Sequence, residues 1–341
     1  MNYRPIRFSR AMRRLVRDMA DSDLIRLDET TVAVAGGALC KAIMAARPLH
    51  DFERIVFKPV ANAPVSNAIF GAVMKALVQD VRRVVAEPSD PAQTLGGVWP
   101  KAGYEYLRNR LYANDPMVIR LLSHRVVNRS RGLKATFETL SQQYLEKYRL
   151  PRDASALAKL IEALQGDERA VAITLYRRAA ESLCVTVAGL TTSALWLGAT
   201  ADGADPLRMA ITETLRLLPP AWLYHREAGE EFAALDARIR TTDALLVVPF
   251  IAQRNPAVWC EPEMFHPSRW AGVSNPEALD HYFPFGHGTD RCWAREVVLM
   301  LTEYTLREII RQALRVDPDR ETVTMPMKTL LTISRLELVS R

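Results

Sequence analysis

Residues 283–295 read FPFGHGTDRCWAR and place one cysteine, Cys292, behind two glycines and directly before a run of helix-period apolar residues. Gly286 and Gly288 predict a tight turn, whose backbone N–H groups can point toward the sulfur and whose missing side chains let a flat ligand approach. Cys292 falls where a helix begins, a setting that favours the thiolate. Three chemistries fit the stretch taken alone: a nucleophile, a metal-bound thiolate, or an inert buried cysteine at a helix cap.

A second signal lies upstream in ITETLRLLPPAWLYHREA, residues 211–228, where Glu213 and Arg216 stand three apart on one helix face and can pair. An exposed pair of this kind contributes little. Here Leu215, Leu217 and Leu218 make the helix largely apolar and Pro219 and Pro220 stop it, so a buried charged pair needs further partners. Arg269, set among prolines and aromatics in NPAVWCEPEMFHPSRW, supplies one.

The chain has 341 residues, 49% hydrophobic and 25% charged, which suits a large globular fold able to bury a cofactor. No uninterrupted apolar run of about 18 residues and no signal-peptide pattern is read, so the expectation is a cytoplasmic protein that does not span a membrane. The arginines among the first 17 residues resemble a transit peptide, but the spacing of Met12, Leu15, Val16 and Met19 favours a surface helix. Cys40, Cys184, Cys260 and Cys292 form no CxxC pair, so neither a disulfide framework nor a zinc site is indicated. A net charge of +6 favours an acidic partner, yet the basic residues are spread along the chain, which argues against nucleic acid.

Helical periodicity dominates: it predicts helices over 8–19, 36–46, 50–60, 67–86, 101–112, 115–128, 135–147, 154–164, 168–198, 206–217 and 293–314. Strands are predicted over 30–35, 238–248 and 330–339. Residues 219–292 carry eight prolines and read as an irregular folded layer. The fold class is therefore mainly α with a small β-sheet region, in one domain over residues 1–341, with no internal repeat and no dividing linker.

Taken together, these motifs resemble the cytochrome P450 family. Phe285, Gly286, His287, Gly288, Cys292 and Ala294 look like its cysteine-ligand loop, Glu213 and Arg216 like its ExxR helix, and Phe265, Pro267, Arg269 and Trp270 like the segment that completes that triad. Arg226 and the RNP at 254–256 follow in the family's order. AGLTTS at 188–193 is similar to the distal helix, where Gly189 opens the helix for dioxygen and Thr192 donates a hydrogen bond to it. His50 and Arg54 are similar to a pair that binds a haem propionate. The resemblance runs from about residue 28 to the end, with 80–175 supported by helical character alone. It implies a soluble, short, bacterial-type P450 fold holding haem b, with Cys292 as axial iron ligand. His50, Arg54, Arg226, Phe285, Gly286, Gly288 and Arg291 would then contact the cofactor, with Thr191, Thr192 and Ser193 on the catalytic side and Glu213, Arg216 and Arg269 as structural triad.

The departures are specific. Asp290 stands where the family has a basic propionate contact, which leaves Arg291 as the candidate substitute, and Thr191 replaces the acid before the distal threonine. Without that carboxylate, one-electron coupling or peroxide-driven turnover is less affected than hydroxylation. From Arg47 the chain passes directly into the next family helix at Pro48, and only 20 residues separate Thr192 from Glu213, so the resemblance implies that the loop and helix that cover the pocket in the family are missing or shortened. The resemblance implies a monooxygenase or oxidative-coupling enzyme of specialised metabolism, acting on a bulky or carrier- or peptide-tethered substrate and served by a ferredoxin-type electron donor. A catalytically impaired partner or scaffold protein is the alternative, and a haem-free thiol enzyme using Cys292 with His287 is a third.

Overall fold

The structure, a computed structural model, describes residues 10–19, 22–46, 66–88, 93–199, 207–227, 229–288, 291–317, 330–331 and 333–340. In chain order its elements begin with α1 (Arg10–Asp18), β1 (Leu24–Arg26), β2 (Thr31–Val34), α2 (Gly37–Ala45) and α3 (Asn67–Ala86). Next come β3 (Gly97–Trp99), α4 (Lys101–Tyr112), α5 (Met117–Arg120), α6 (Arg125–Arg129), α7 (Arg131–Lys147) and α8 (Ala156–Ala163). The chain continues through α9 (Gly166–Leu197), α10 (Leu207–Leu217), β4 (Tyr224–Glu227), α11 (Glu230–Ala233), β5 (Ala244–Val247) and α12 (Pro249–Ala252). It ends with α13 (Arg295–Arg311), β6 (Leu314–Val316) and β7 (Leu336–Ser340). The fold is mainly helical with small sheets, as the periodicity predicts.

Two compact units emerge. The first comprises residues 1–56, 189–295 and 316–337. Its sheet is ordered β1-β2-β5-β4, with β2 and β5 parallel and both outer pairings antiparallel. Val32, Ala33, Val34, Leu245 and Val247 are buried, which accounts for their β-branched and aliphatic character. Strand β5 is shorter than the 238–248 run because Asp243 closes a turn: its carboxylate receives both guanidinium bonds of Arg26, at 2.8 and 2.7 Å, and the N–H of Arg240. Those bonds hold its pKa down at about 2. Residues 219–292 form the expected irregular layer, although β4, α11 and α12 lie within it.

The second unit comprises residues 57–188, 296–315 and 338–341 and is mainly helical, with three of its helices capped by serine. Ser66, Ser130 and Ser155 each accept an N–H from the first turn of α3, α7 and α8 respectively. The Ser130 cap starts α7 four residues before the predicted 135. The predicted helix over 115–128 is instead broken, because His124 is extended and caps α6 after a short 3-10 turn at Leu121–Ser123. Helix α8 is anchored by two buried carboxylates. Asp80 accepts the N–H groups of Ala156 and Leu157, and Asp115 accepts Ser155 N–H, Ser155 O–H and Tyr176 O–H. A three-stranded sheet is ordered β3-β7-β6.

Helix α9, at 32 residues, is among the described residues the one helix long and apolar enough to cross a membrane, but 78% of its apolar window is buried inside the fold. The predicted helix over 50–60, His50 and Arg54, and the shortened segments around 47–48 and 200–206 lie outside the described residues.

Candidate active site

The ExxR pair is buried within the first unit. Glu213 and Arg216 on α10 are both fully buried. Arg216 donates Nε and Nη2 to the two carboxylate oxygens of Glu213, at 2.9 and 2.8 Å, a bidentate geometry that orients as well as binds. Its remaining N–H groups donate to the carbonyls of Gln253, Pro262 and Met264. Glu213 in turn accepts from Trp270 Nε1 at 2.9 Å, from His266 N–H at 3.1 Å and from Arg269 Nε at 3.4 Å. The three predicted triad members therefore meet. Trp270 adds a partner to the carboxylate that is stronger in geometry than Arg269. Its ring continues an aromatic column, with Trp259 at 5.6 Å and Tyr282 at 4.8 Å between centroids, and the Arg216 guanidinium lies over the Trp259 ring at 5.2 Å.

This network reaches the cysteine loop through Gln253, a residue the sequence motifs do not mark. Fully buried, Gln253 donates Nε2 to the carbonyls of Leu215 and Arg216, at 2.9 and 3.0 Å, and thereby satisfies two end carbonyls of α10. Its Oε1 accepts the N–H of Phe283 at 2.9 Å. From there the loop closes on itself. Gly286 N–H donates to Phe283 C=O, Cys292 N–H to Phe285 C=O at 2.6 Å, and Arg291 N–H to Gly288 C=O. Gly286 and Gly288 hold φ of +76° and +56°, in the left-handed region glycine tolerates. A Cβ on Gly288 would also lie 3.0 Å from Ala45 Cα, so α2 seats the loop closely.

Cys292 is a free, largely buried thiol three residues before α13. Burial pushes its pKa up, opposed by backbone N–H groups of Ala294 and Arg295. The N–H groups that favour the thiolate thus lie on the helix side of the sulfur. No histidine is among the groups that shift the Cys292 thiol, while burial together with Lys41 pushes the His287 pKa down. Among the described residues no group of three His, Cys, Asp or Glu side chains could hold a metal ion. The donor set at Cys292 is therefore one sulfur, which fits a prosthetic group that takes a single protein ligand, as haem does.

Arg291 is committed elsewhere. Its Nη2 and the Nη1 of Arg295 both donate to Glu277 Oε2, so one carboxylate bridges the two arginines flanking Cys292. The Glu277 segment is itself fixed, since buried Lys41 of α2 donates to the carbonyls of Glu277 and Leu279. Arg226 lies on β4, paired across to Leu245 of β5, and donates to the carbonyl of His225.

Gly189, Thr191, Thr192 and Ser193 sit on the last turns of α9, and all three hydroxyl residues are buried. At 100° per residue, Gly189, Thr192 and Ser193 share one helix face and Thr191 takes the opposite one. The Oγ atoms of Thr191 and Ser193 are buried without a hydrogen-bond partner among the described residues. Such a hydroxyl costs free energy until something bonds it, and Thr191 and Ser193 carry that cost on opposite faces of the helix. A separate cavity of about 560 Å³ between α1 and residues 251–263 is lined by none of the candidate site residues.

Comparison with known proteins agrees with this arrangement. Residues 206–338 match the family model described as Cytochrome P450. Cyclooctatin synthase of Streptomyces melanosporofaciens is 36% identical over 109 residues, 30% of this chain and 23% of that protein, and thromboxane-A synthase of Mus musculus is 30% identical over 112 residues, 33% and 21%. The chain thus covers about a fifth to a quarter of the length of these relatives. Among solved structures, CYP109E1 from Bacillus megaterium in complex with testosterone superposes with a TM-score of 0.68 at 12% identity, covering 96% of this chain and 99% of that one. P450 OxyD, involved in the biosynthesis of vancomycin-type antibiotics, gives 0.66 at 15% identity, with 98% and 97% covered. With its motifs assembled as described, the chain matches the cytochrome P450 family model over residues 206–338 and shares the fold of solved cytochrome P450 structures along nearly its whole length.

Proposed function

We propose that this protein is a haem-thiolate oxidoreductase, a monooxygenase or oxidative-coupling enzyme of specialised metabolism, with haem b held by Cys292. The observation that carries the reading is the free Cys292 thiol at the end of a loop tied through Gln253 to a fully buried Glu–Arg pair, with the backbone N–H groups of Ala294 and Arg295 favouring its thiolate. When bound, haem under an electron-donating thiolate supplies dioxygen or peroxide activation. The N–H groups of Ala294 and Arg295 hold the sulfur in place and temper its charge. Phe285, Gly286 and Gly288 give the loop a side without bulk on which a flat ring can lie. Arg226, with His50 and Arg54, would neutralise the propionates, which otherwise are unpaired charges in a buried setting.

On the distal side, Thr192 and Ser193 hold a proton or a water at Oγ, and Ser193 has an unused hydroxyl to do so. Thr191 lies on the opposite face of α9 and is assigned the smaller part in turnover. With no carboxylate in this stretch, proton supply is weak, which favours a substrate that brings its own acidic group, such as a phenol, or peroxide as oxidant. A ferredoxin-type donor and a bulky, carrier- or peptide-tethered substrate complete the reading, in a cytoplasmic setting. The neighbouring structure from antibiotic biosynthesis supports this class. One observation favours the second reading, a non-catalytic scaffold: Arg291, the candidate propionate contact, is already bound by Glu277.

The test is loading and turnover. Protein purified from haem-supplemented cells is expected to carry one haem per chain and to oxidise a phenolic probe with peroxide, with Ser193→Ala and Thr192→Ala slowing turnover more than Thr191→Ala. Full haem content with no turnover by any oxidant establishes the scaffold reading instead.

A further inference from the structure

The net charge of +6 has a location. Residues 117–152 hold eight basic and two acidic residues, while the other 305 residues hold 37 of each and balance to zero. The basic residues are indeed spread along the chain. What concentrates the charge is the lack of acids over α5, α6, α7 and the turn that follows. These helices pack on one another through the 3-10 turn at Leu121–Ser123 and form one surface of the second unit.

Arg129, Arg131, Lys147, Arg149 and Arg152 are exposed there and form no ion pair among the described residues. Elsewhere several exposed arginines are matched, as Arg238 is with Asp23 and Asp236, Arg307 with Glu303, and Arg311 with Glu308. Of the two acids in the segment, Glu138 is spent on Arg177 and on Thr174 Oγ1, which leaves Glu146.

The same surface carries every large apolar side chain that the second unit exposes among its described residues: Met117, Val126, Leu133, Leu140 and Tyr148, with Met117 69% and Val126 59% accessible. Leu133 and Leu140 are seven apart and lie along one line of α7, which Lys147 continues. Between them α7 exposes Thr136, Thr139, Gln143 and Glu146. A face meant to sink into lipid would be continuously apolar, whereas separate apolar side chains in a hydrogen-bonding field have the texture of a protein interface.

We propose that the outer face of α5–α7 is the docking surface for a small acidic protein, with Met117, Val126, Leu133 and Leu140 as its apolar contacts and the unpaired arginines as its electrostatic guide. The assignment rests on charge complementarity and exposed apolar area, and is independent of the haem-thiolate reading. Charges left without local partners are available to a partner's carboxylates without first breaking an ion pair, and like signs on one face speed encounter and fix orientation.

The test uses the full-length protein, with an acidic [2Fe–2S] ferredoxin and an acidic acyl carrier protein as probes, and vesicles of mixed phosphatidylserine and phosphatidylcholine as the lipid. Binding is followed calorimetrically and by stopped flow at rising ionic strength. Arg131→Glu/Arg149→Glu is compared with Arg82→Glu/Arg240→Glu, which changes net charge equally at exposed positions off this face. The expected result is binding of at least one acidic protein that weakens about tenfold or more in the first variant and less than about twofold in the second, with an association rate that falls with salt. Val126→Ser is expected to weaken binding while keeping the salt dependence. Equal loss in both double variants, no binding of either protein by the wild-type chain, or binding of vesicles alone would each overturn the proposal.

Discussion

Replacing Gln253 by leucine keeps the volume of a fully buried side chain while removing three hydrogen bonds at once. The carbonyls of Leu215 and Arg216 and the N–H of Phe283 are then left in a dry site. A buried bond is worth about 1 kcal/mol net, and an orphaned group costs about 1–3 kcal/mol, so the variant is expected to lose at least about 3 kcal/mol of stability. That is a large share of the roughly 5–15 kcal/mol typical of a folded domain. The loss is directional: the freed N–H belongs to the residue that opens the cysteine loop, so the loop loosens with the end of α10. Urea unfolding measures the first effect, and the fraction of protein showing thiolate-type spectra measures the second, with exposed Gln143→Leu as control within about 0.5 kcal/mol. A cost below about 1 kcal/mol with an unchanged spectrum would refute the idea that Gln253 couples the Glu213–Arg216 network to Cys292.

Three further outcomes are expected. Glu277→Ala frees Arg291 and Arg295; because these ion pairs are partly exposed, stability should fall by only about 1 kcal/mol, while alkylation of Cys292, followed on its own peptide because Cys260 is exposed, should quicken several-fold. Gly288→Ala combines a φ of +56° with a Cβ 3.0 Å from α2 and should cost about 1–3 kcal/mol, visible as a lowered Tm and lost cofactor retention. Burial holds the Asp80 pKa up at about 6 against the hydrogen bonds of Ala156 and Leu157, and moves Asp115 the same way, with Arg83 opposing both. The folded state then binds protons that the unfolded chain releases near pH 4, so stability should fall by roughly 2–3 kcal/mol as pH rises from about 4 to above 6. Below pH 4 the sign reverses as Asp243, held near 2 by Arg26, takes up its proton. Asp80→Asn should flatten the upper limb, and a wild-type curve without that limb would show the carboxylate to be ionised and well solvated.

The residues that announce themselves in the sequence are those whose chemistry is rare in their setting. A glutamate and an arginine three apart in an apolar helix demand burial with partners, and a cysteine behind two glycines demands a tight loop, so α10 and the 283–292 turn were legible from identity and spacing. Gln253 was not, because a single glutamine between two turns has no period and its three partners are all backbone. The one available hint is a lone amide in PFIAQRNP between apolar and turn residues. Strands β1, β3, β4 and β6 escaped for a related reason: three or four residues are too few to show alternation, and their pairing is set by the sheet. The role of Arg291 was open because it depends on Glu277, 14 residues away, whose position Lys41 fixes.

The measurement that bears most directly on the whole account is the optical spectrum of the purified protein, reduced and exposed to carbon monoxide, beside that of Cys292→Ser. The account predicts the long-wavelength Soret band of thiolate-ligated ferrous haem in the wild-type protein and its loss in the variant. Absence of haem, or the same spectrum from both proteins, would contradict it by removing Cys292 from the centre of the site.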